Sequence, residues 1–177
     1  MMKKLYEYLY NYYRRGELVY TLQKYIDRDY WNDMIAESFE DTPFVNQTDF
    51  NYGRSFEFLF VLSDCDLDIL YTDKFRPYLQ QNTLYGMLLE ISVVGPYAHY
   101  RFIEHRNQDQ QEVYNTQRFA YLEEHKYIEQ SLKSFIEKNR LQIFSDTELG
   151  KIVPRMNLEL SGSEATLYNC LFEDYLK

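Results

Sequence analysis

The stretch from residue 86 to residue 105 constrains the fold of this chain more than any other. It consists of GMLLEISVV, the dipeptide Gly95-Pro96, and YAHYRFIEH. Both flanks are dense in aliphatic and aromatic residues, which favour strands, and Gly-Pro favours a turn. The stretch therefore predicts an antiparallel hairpin with strands at 86–94 and 97–105.

The second strand of this hairpin carries two of the three histidines in the chain. Alternate residues of a strand share a face, so Ala98, Tyr100 and Phe102 are predicted to face the core. The opposite, mixed polar face carries His99, Arg101, Ile103 and His105. The two histidines are about 20 Å apart along an extended strand, which is too far to share a metal ion. This face is expected to be either solvated or in contact with a partner.

Helical patterns fill the first forty residues. Apolar and aromatic residues recur at spacings of three and four from Leu5 to Tyr12, and Gly16 is a natural stop. The stripe continues over 18–26, and Asp29 is placed to cap a further helical turn. The sequence therefore begins with helices.

Strand and helix patterns alternate in the middle of the chain. SFEFLFVL at 55–62 predicts a strand, and 73–82 predicts a short helix or turn that contains a proline. A polar connector at 106–112 precedes a helical stripe from Tyr114 to Asn139, which predicts a helix of about 25 residues. That helix would be the longest element.

The C-terminal part carries the clearest cap. SDTE at 145–148 has the spacing of a capping box, and Gly150 would end the turn that it begins. Residues 156–172 predict two strands joined by a loop at 161–163. The whole predicts one α+β domain over residues 1–177, with N-terminal helices, an antiparallel sheet of hairpins, and one long helix before the last hairpin.

Charge and aromatic content limit the classes of partner. The chain has 19 Lys and Arg against 28 Asp and Glu, a net charge of −9. Such a chain repels phosphate backbones, so we expect no nucleic-acid partner and an attraction to a basic protein. The 19 tyrosines are explained equally well by a low-GC genome or by an interface, where tyrosine is enriched.

Cysteine usage and hydropathy indicate the compartment. Cys65 and Cys170 form no CxxC pair, and no export signal is evident, so we expect reduced thiols in the cytoplasm. No apolar run approaches the roughly 20 residues of a membrane span. The sequence therefore predicts a soluble, cytoplasmic protein without a membrane partner.

The segment SDCDLD at 63–68 opens like a calcium loop. Asp64, Asp66 and Asp68 alternate as in an EF-hand, but the required Gly and bidentate Glu are replaced by Ile69 and Phe75. The EF-hand hypothesis therefore fails. The segment is expected to be a hydrated loop, an acidic patch offered to a basic partner, or a cation site.

The sequence nominates no catalytic machinery. It contains no Walker loop, GxGxxG, GxSxG or HExxH motif. A lone histidine, His125, lies on the apolar stripe of the predicted long helix and is interpreted as a core or boundary residue. We therefore expect no catalytic residue, no cofactor and no metal.

Two other functional classes stay open. A small-molecule binder or unusual enzyme would have a Tyr-lined cavity with convergent polar groups, near His125 or Tyr121. A self-assembling scaffold would instead expose a large apolar patch.

Residues 87–177 resemble the small acidic immunity proteins of bacterial polymorphic toxin systems. The resemblance lies in the order of ISVVGPYAHYRF, a long helix, SDTELGKIVP and ATLYNCLFEDYLK. It implies a cytosolic inhibitor that binds a cognate toxin and contributes no catalytic residue. The residues that we expect to contact such a partner are Asp64, Asp66, Asp68, His99 and Arg101.

Overall fold

The computed structural model describes residues 2–15, 28–51 and 53–175, which form an α+β fold. Its α-helices are α1 (Met2–Arg15), α2 (Arg28–Ser38), α3 (Phe75–Leu79), α4 (Tyr127–Lys138), α5 (Asp146–Leu149) and α6 (Leu167–Leu171). Its strands are β1 (Phe44–Asn46), β2 (Ser55–Val61), β3 (Leu84–Ser92), β4 (Tyr97–Gln108), β5 (Gln111–Gln117) and β6 (Gln142–Ile143). Short 3₁₀ turns occupy Leu67–Ile69 and Glu123–His125. The helical stripe predicted at 18–26 and the stop at Gly16 lie outside the described residues.

Five strands form an antiparallel meander in the order β1-β2-β3-β4-β5, and β6 pairs in parallel with the start of β4. The hairpin predicted around Gly95-Pro96 is confirmed, because β3 and β4 pair over eight positions from Leu84–His105 to Ile91–Ala98. Because β2 pairs with the other edge of β3 and β5 with the other edge of β4, this hairpin lies at the centre of the sheet.

One face of the sheet holds the main core. Alternate residues of the three central strands face it and most are buried, although Tyr100 of β4 is only half-buried, and α2 and α4 cover it. The sheet contributes Phe56, Phe58, Phe60, Met87, Leu89, Ile91, Ala98 and Phe102, and the helices contribute Trp31, Ile35, Phe39, Ile128, Leu132 and Phe135. The predicted inward orientation of Ala98 and Phe102 is therefore confirmed.

The opposite face, which we call the second face, is also covered. At one end it packs beneath α1, α6 and the loops around them, where Leu9, Phe144 and Phe172 are buried. At the other end the segment 62–82 covers Leu59, Leu88 and Ile103. The expectation that this face of β4 is open to solvent is therefore wrong at His99, which is only 6% exposed.

The predicted long helix from Tyr114 to Asn139 is shorter than expected. Tyr114 lies in β5, and the α-helix begins only at Tyr127. The polar connector at 106–112 is a hairpin instead, because Asp109 and Gln110 both have positive φ and form the two-residue turn between β4 and β5. Pairing with β4 overrides the helical spacing.

The hairpin predicted at 156–172 is also wrong. Only an isolated bridge joins Leu158 to Gly162, and α6 then begins after Thr166. The Thr166 side chain accepts a hydrogen bond from the backbone of Asn169, and Asn169 caps Thr166 in return. This capping box, together with burial of Leu167 and Leu171, favours a helix over a strand.

Candidate functional site

Three ionisable residues lie side by side across the centre of the second face. Glu57 on β2 is directly opposite Glu90 on β3, and Glu90 is directly opposite His99 on β4. Glu90 is 1% exposed and Glu57 is half-buried. Burying a carboxylate is costly unless it is paired and hydrogen-bonded, so this row depends on its partners.

Glu90 has a partner on each oxygen. Its Oε2 lies 2.5 Å from Nδ1 of His99, and its Oε1 accepts a hydrogen bond of 2.6 Å from the Tyr168 hydroxyl. Tyr168 comes from α6, and burial together with the charge of Glu90 raises its pKa. These two bonds hold α6 to the centre of the sheet.

Among the described residues, Glu57 and Glu173 do not have a pair of partners like those that stabilise the Glu90 carboxylate. Burial, followed by the negative charges of Glu90 and Glu173, raises the pKa of Glu57 to about 7. Burial and Glu90 also raise the pKa of Glu173, which follows α6. Arg101 opposes both shifts without cancelling them. The carboxylates here outnumber the cations that face them.

Arg101 lies on β4, two residues from His99 on the same face. Its buried Nε has no hydrogen-bond partner among the described residues. Burial lowers the pKa of Arg101, but the combined effect of Glu90, Tyr168, Tyr114 and Glu57 outweighs it, so the net pKa lies above its ordinary value. A charged guanidinium therefore sits in the site with donor capacity to spare.

A cleft of about 450 Å³ opens over this part of the second face. We call it the polar cleft; its walls include His99, Arg101, Asp146, Tyr168, Glu173 and Tyr175. Nε2 of His99 lies 3.7 Å from Asp146, which also accepts a hydrogen bond of 3.0 Å from Nε of Arg118. That bond to Arg118 lowers the pKa of Asp146.

A second, smaller depression of about 190 Å³ lies on the same face. Its floor is apolar and is formed by Leu59, Leu70, Leu84, Leu88 and Ile103, and Tyr71 and Tyr114 stand at its edge with 67% and 53% of their surface exposed. The His105 ring makes edge contacts with Phe75 and Tyr114, and these contacts hold one side of the depression together. We call this depression the tyrosine groove.

The three aspartates predicted to contact a partner belong to the segment that forms one wall of the tyrosine groove. Asp64, Asp66 and Asp68 are all exposed. The Asp66 carboxylate accepts a hydrogen bond of 3.0 Å from the backbone N of Asp68 and caps the 3₁₀ turn at Leu67–Ile69. Leu70 and Tyr71, which follow that turn, line the groove. The acidic loop is thus both solvated and next to an apolar depression.

The five predicted contact residues lie at two places on the second face. The aspartates lie on the exposed segment that leads into the groove residues Leu70 and Tyr71, whereas His99 and Arg101 line the polar cleft. Their role in partner binding stays a prediction. His125 is 7% exposed and its ring centroid lies 5.7 Å from that of Tyr85, so its interpretation as a core or boundary residue is confirmed, although it lies in a 3₁₀ turn and not in a long helix.

Sequence reasoning missed the buried glutamates Glu57 and Glu90 and the cleft residues Tyr168 and Glu173. A signal existed for two of them. Glu57 interrupts SFEFLFV and Glu90 interrupts MLLEIS, and a carboxylate inside a dense apolar strand indicates a buried polar site. No local pattern marks Tyr168 or Glu173, because they reach the site from the C-terminal segment.

Comparison with known proteins gives no match: no family model, curated protein or solved structure is similar to this chain. No cluster of three or more metal-ligating side chains occurs within residues 2–15, 28–51 and 53–175. In the same ranges, none of the helices has the length and apolar character needed to cross a membrane.

Proposed function

We propose that this protein is a non-catalytic, cytoplasmic binding module for a basic protein, acting as an immunity-type inhibitor of a toxin. The observation that carries the proposal is the tyrosine groove, an apolar depression with two exposed tyrosines at its edge and three exposed aspartates on its wall segment. Apolar anchoring and charge complementarity coincide there.

The groove has the composition of an interface hot spot. Binding energy at protein interfaces concentrates where an aromatic or aliphatic anchor enters a pocket from which water is excluded. Tyr71 and Tyr114 offer large rings at a low entropic cost. The Tyr71 hydroxyl accepts a hydrogen bond from Gln47 and can still donate one to a partner. A partner that inserts one apolar side chain would contact the leucines of the floor, which are already largely buried, and would bury the exposed parts of both rings.

The acidic wall selects the charge of the partner. Asp64, Asp66 and Asp68 are exposed and form no ion pair with any described residue, and the chain as a whole carries −9. A field of this sign accelerates encounter with a basic protein and disfavours an acidic one. A toxin with a basic surface for gripping phosphates fits this requirement.

A binding titration tests the proposal. The partner is the protein encoded next to this gene, and affinity is measured for the native chain, for Tyr114→Ala, and for Asp64→Asn/Asp66→Asn/Asp68→Asn. Removing Tyr114 should weaken binding by about tenfold or more. The triple substitution should slow association and flatten the dependence on salt, because the carboxylates act through long-range attraction.

Tyr127→Ala is the matched control. Tyr127 is 54% exposed, like Tyr114, but belongs to α4 on the other side of the sheet. It should leave the affinity unchanged. Absence of binding at micromolar concentration in low salt, or equal losses for Tyr114→Ala and Tyr127→Ala, would overturn the proposal.

A further inference from the structure

We propose that the polar cleft is a separate binding site for a small zwitterion, an amino acid with an apolar or aromatic side chain. Arg101 would bind its carboxylate and Glu173 its ammonium group, with Tyr168, Tyr175 and Leu149 around its side chain. All five residues line the same cleft. The site is independent of the tyrosine groove and of the proposed protein partner.

Arg101 supplies the anion-binding half of the site. The planar guanidinium is suited to a carboxylate, which it binds through two parallel hydrogen bonds. Arg101 forms no ion pair within the described residues, and its nearest strong influence, Glu90, is already bonded to His99 and Tyr168. The guanidinium is therefore attracted by the negative charge of Glu90, but its Nε has no hydrogen-bond partner among the described residues.

The carboxylates supply the cation-binding half. Glu57, Glu90 and Glu173 influence one another electrostatically, and Arg101 is the cation that offsets Glu57 and Glu173. Of the three, Glu173 lines the cleft and is half-buried. An ammonium group beside Glu173 would offset that carboxylate, while the ligand's own carboxylate pairs with Arg101. Burial first, and then the neighbouring negative charges, raise the pKa values of Glu57 and Glu173.

The size and walls of the cleft set the rest of the ligand. A volume of about 450 Å³ lies within the range of small-molecule sites. Tyr168 is buried with its hydroxyl committed to Glu90, so its ring serves as an apolar surface. Tyr175, 39% exposed, stands at the boundary with solvent. An apolar or aromatic ligand side chain fits between these rings.

The test compares a free amino acid with derivatives that lack one charge. L-phenylalanine, its amide and N-acetyl-L-phenylalanine are titrated separately into the native protein by calorimetry. The free amino acid should bind, whereas the amide, without a carboxylate, and the N-acetyl form, without an ammonium group, should each bind about tenfold more weakly or worse. L-leucine and L-aspartate then report the preference for an apolar side chain.

Proton exchange gives a second readout. Because Glu57 has a pKa of about 7, part of its population is protonated at neutral pH. The amide, which carries only the ammonium group, should lower that pKa and release protons, whereas the N-acetyl form, whose carboxylate pairs with Arg101, should raise it and take protons up, so their heats should depend on the buffer in opposite senses. A structural role for these groups alone would produce no such ligand-dependent exchange.

Substitutions localise the effect. Arg101→Gln and Glu173→Gln should each abolish the preference for the free amino acid, while Tyr127→Ala should leave it intact because Tyr127 belongs to α4 on the other side of the sheet. The comparison of derivatives uses native protein and stays decisive if a variant misfolds. No binding of the free amino acid at millimolar concentration, or binding of the N-acetyl and amide forms as tight as that of the free amino acid, would overturn the proposal.

Discussion

Glu90 illustrates how a single carboxylate organises this protein. It lies in the middle strand of the sheet, where an apolar residue would cost less, and it is nearly inaccessible to solvent. The cost of burying its carboxylate is compensated by the Tyr168 hydroxyl and by His99, which come from two different parts of the chain. The side chain thereby ties the C-terminal helix to the central hairpin.

Glu57 predicts an unusual dependence of stability on pH. Its pKa is about 7 in the folded protein and about 4.3 in the unfolded chain. Between these values the native state binds more protons than the unfolded state, so the contribution of Glu57 is most favourable below about pH 4 and is lost as the pH rises towards 7. Above pH 7 the ionised carboxylate destabilises the fold.

The substitution Glu57→Gln should remove this penalty. We compare the unfolding free energy of the variant with that of the native chain at each pH. After allowance for the partial exposure of Glu57, this difference should favour the variant by roughly 1–2 kcal/mol more at pH 8 than at pH 5. Urea unfolding at both pH values measures the difference. Glu159→Gln, at an exposed position, is the control, and equal behaviour of the two variants would show that Glu57 is not strained.

The alternation of residues along the strands predicts burial on the core face of the sheet but not on the second face. Alternation along β4 correctly places Ala98 and Phe102 in the core. It cannot reveal that α6 and the residues after it cover His99, because that contact joins positions about seventy apart in the chain. A strand pattern indicates which residues share a face but not what lies on it.

At the scale of elements, two capping boxes begin the last two helices. In α5 the Ser145 side chain accepts from the backbone of Glu148, whose carboxylate accepts from the backbone N of Ser145. In α6 Thr166 and Asn169 exchange the same pair of bonds. The first box is exposed and the second is buried.

This difference predicts unequal costs. Ser145→Ala should lower the unfolding free energy by about 1 kcal/mol, the usual loss of a cap. Thr166→Ala should cost more, about 2 kcal/mol, because it removes a bond to a buried amide side chain that water cannot replace. Chemical denaturation measures both; an equal or larger cost for Ser145→Ala would contradict the role of burial.

Elements with local signals were predictable, and those fixed by distant pairing were not. SDTE at 145–148 carries its cap within four residues, and the prediction is confirmed. In contrast, β5 exists because it pairs with β4 across a turn at Asp109 and Gln110, where no Asn-Gly or Asp-Gly announces it. The helical spacing from Tyr114 onward competes with that pairing and loses.

At the scale of the whole molecule, the second face separates into two places with different chemistry. Arg101 lines the polar cleft, and Ile103, the next residue of β4 on this face, lines the tyrosine groove. The sequence marks the acidic segment 63–68, but the groove beside it is assembled from four strands, α3 and loop residues. The groove therefore could not be predicted without the tertiary structure.

The most direct test of the proposed binding function is a map of hydrogen exchange in the complex with the basic protein encoded next to this gene. The account predicts slower exchange at residues 64–75 and 111–117, which surround the tyrosine groove, and no change in α4. Protection confined to α4 or to α1, with the groove segments exchanging as in the free protein, would contradict it.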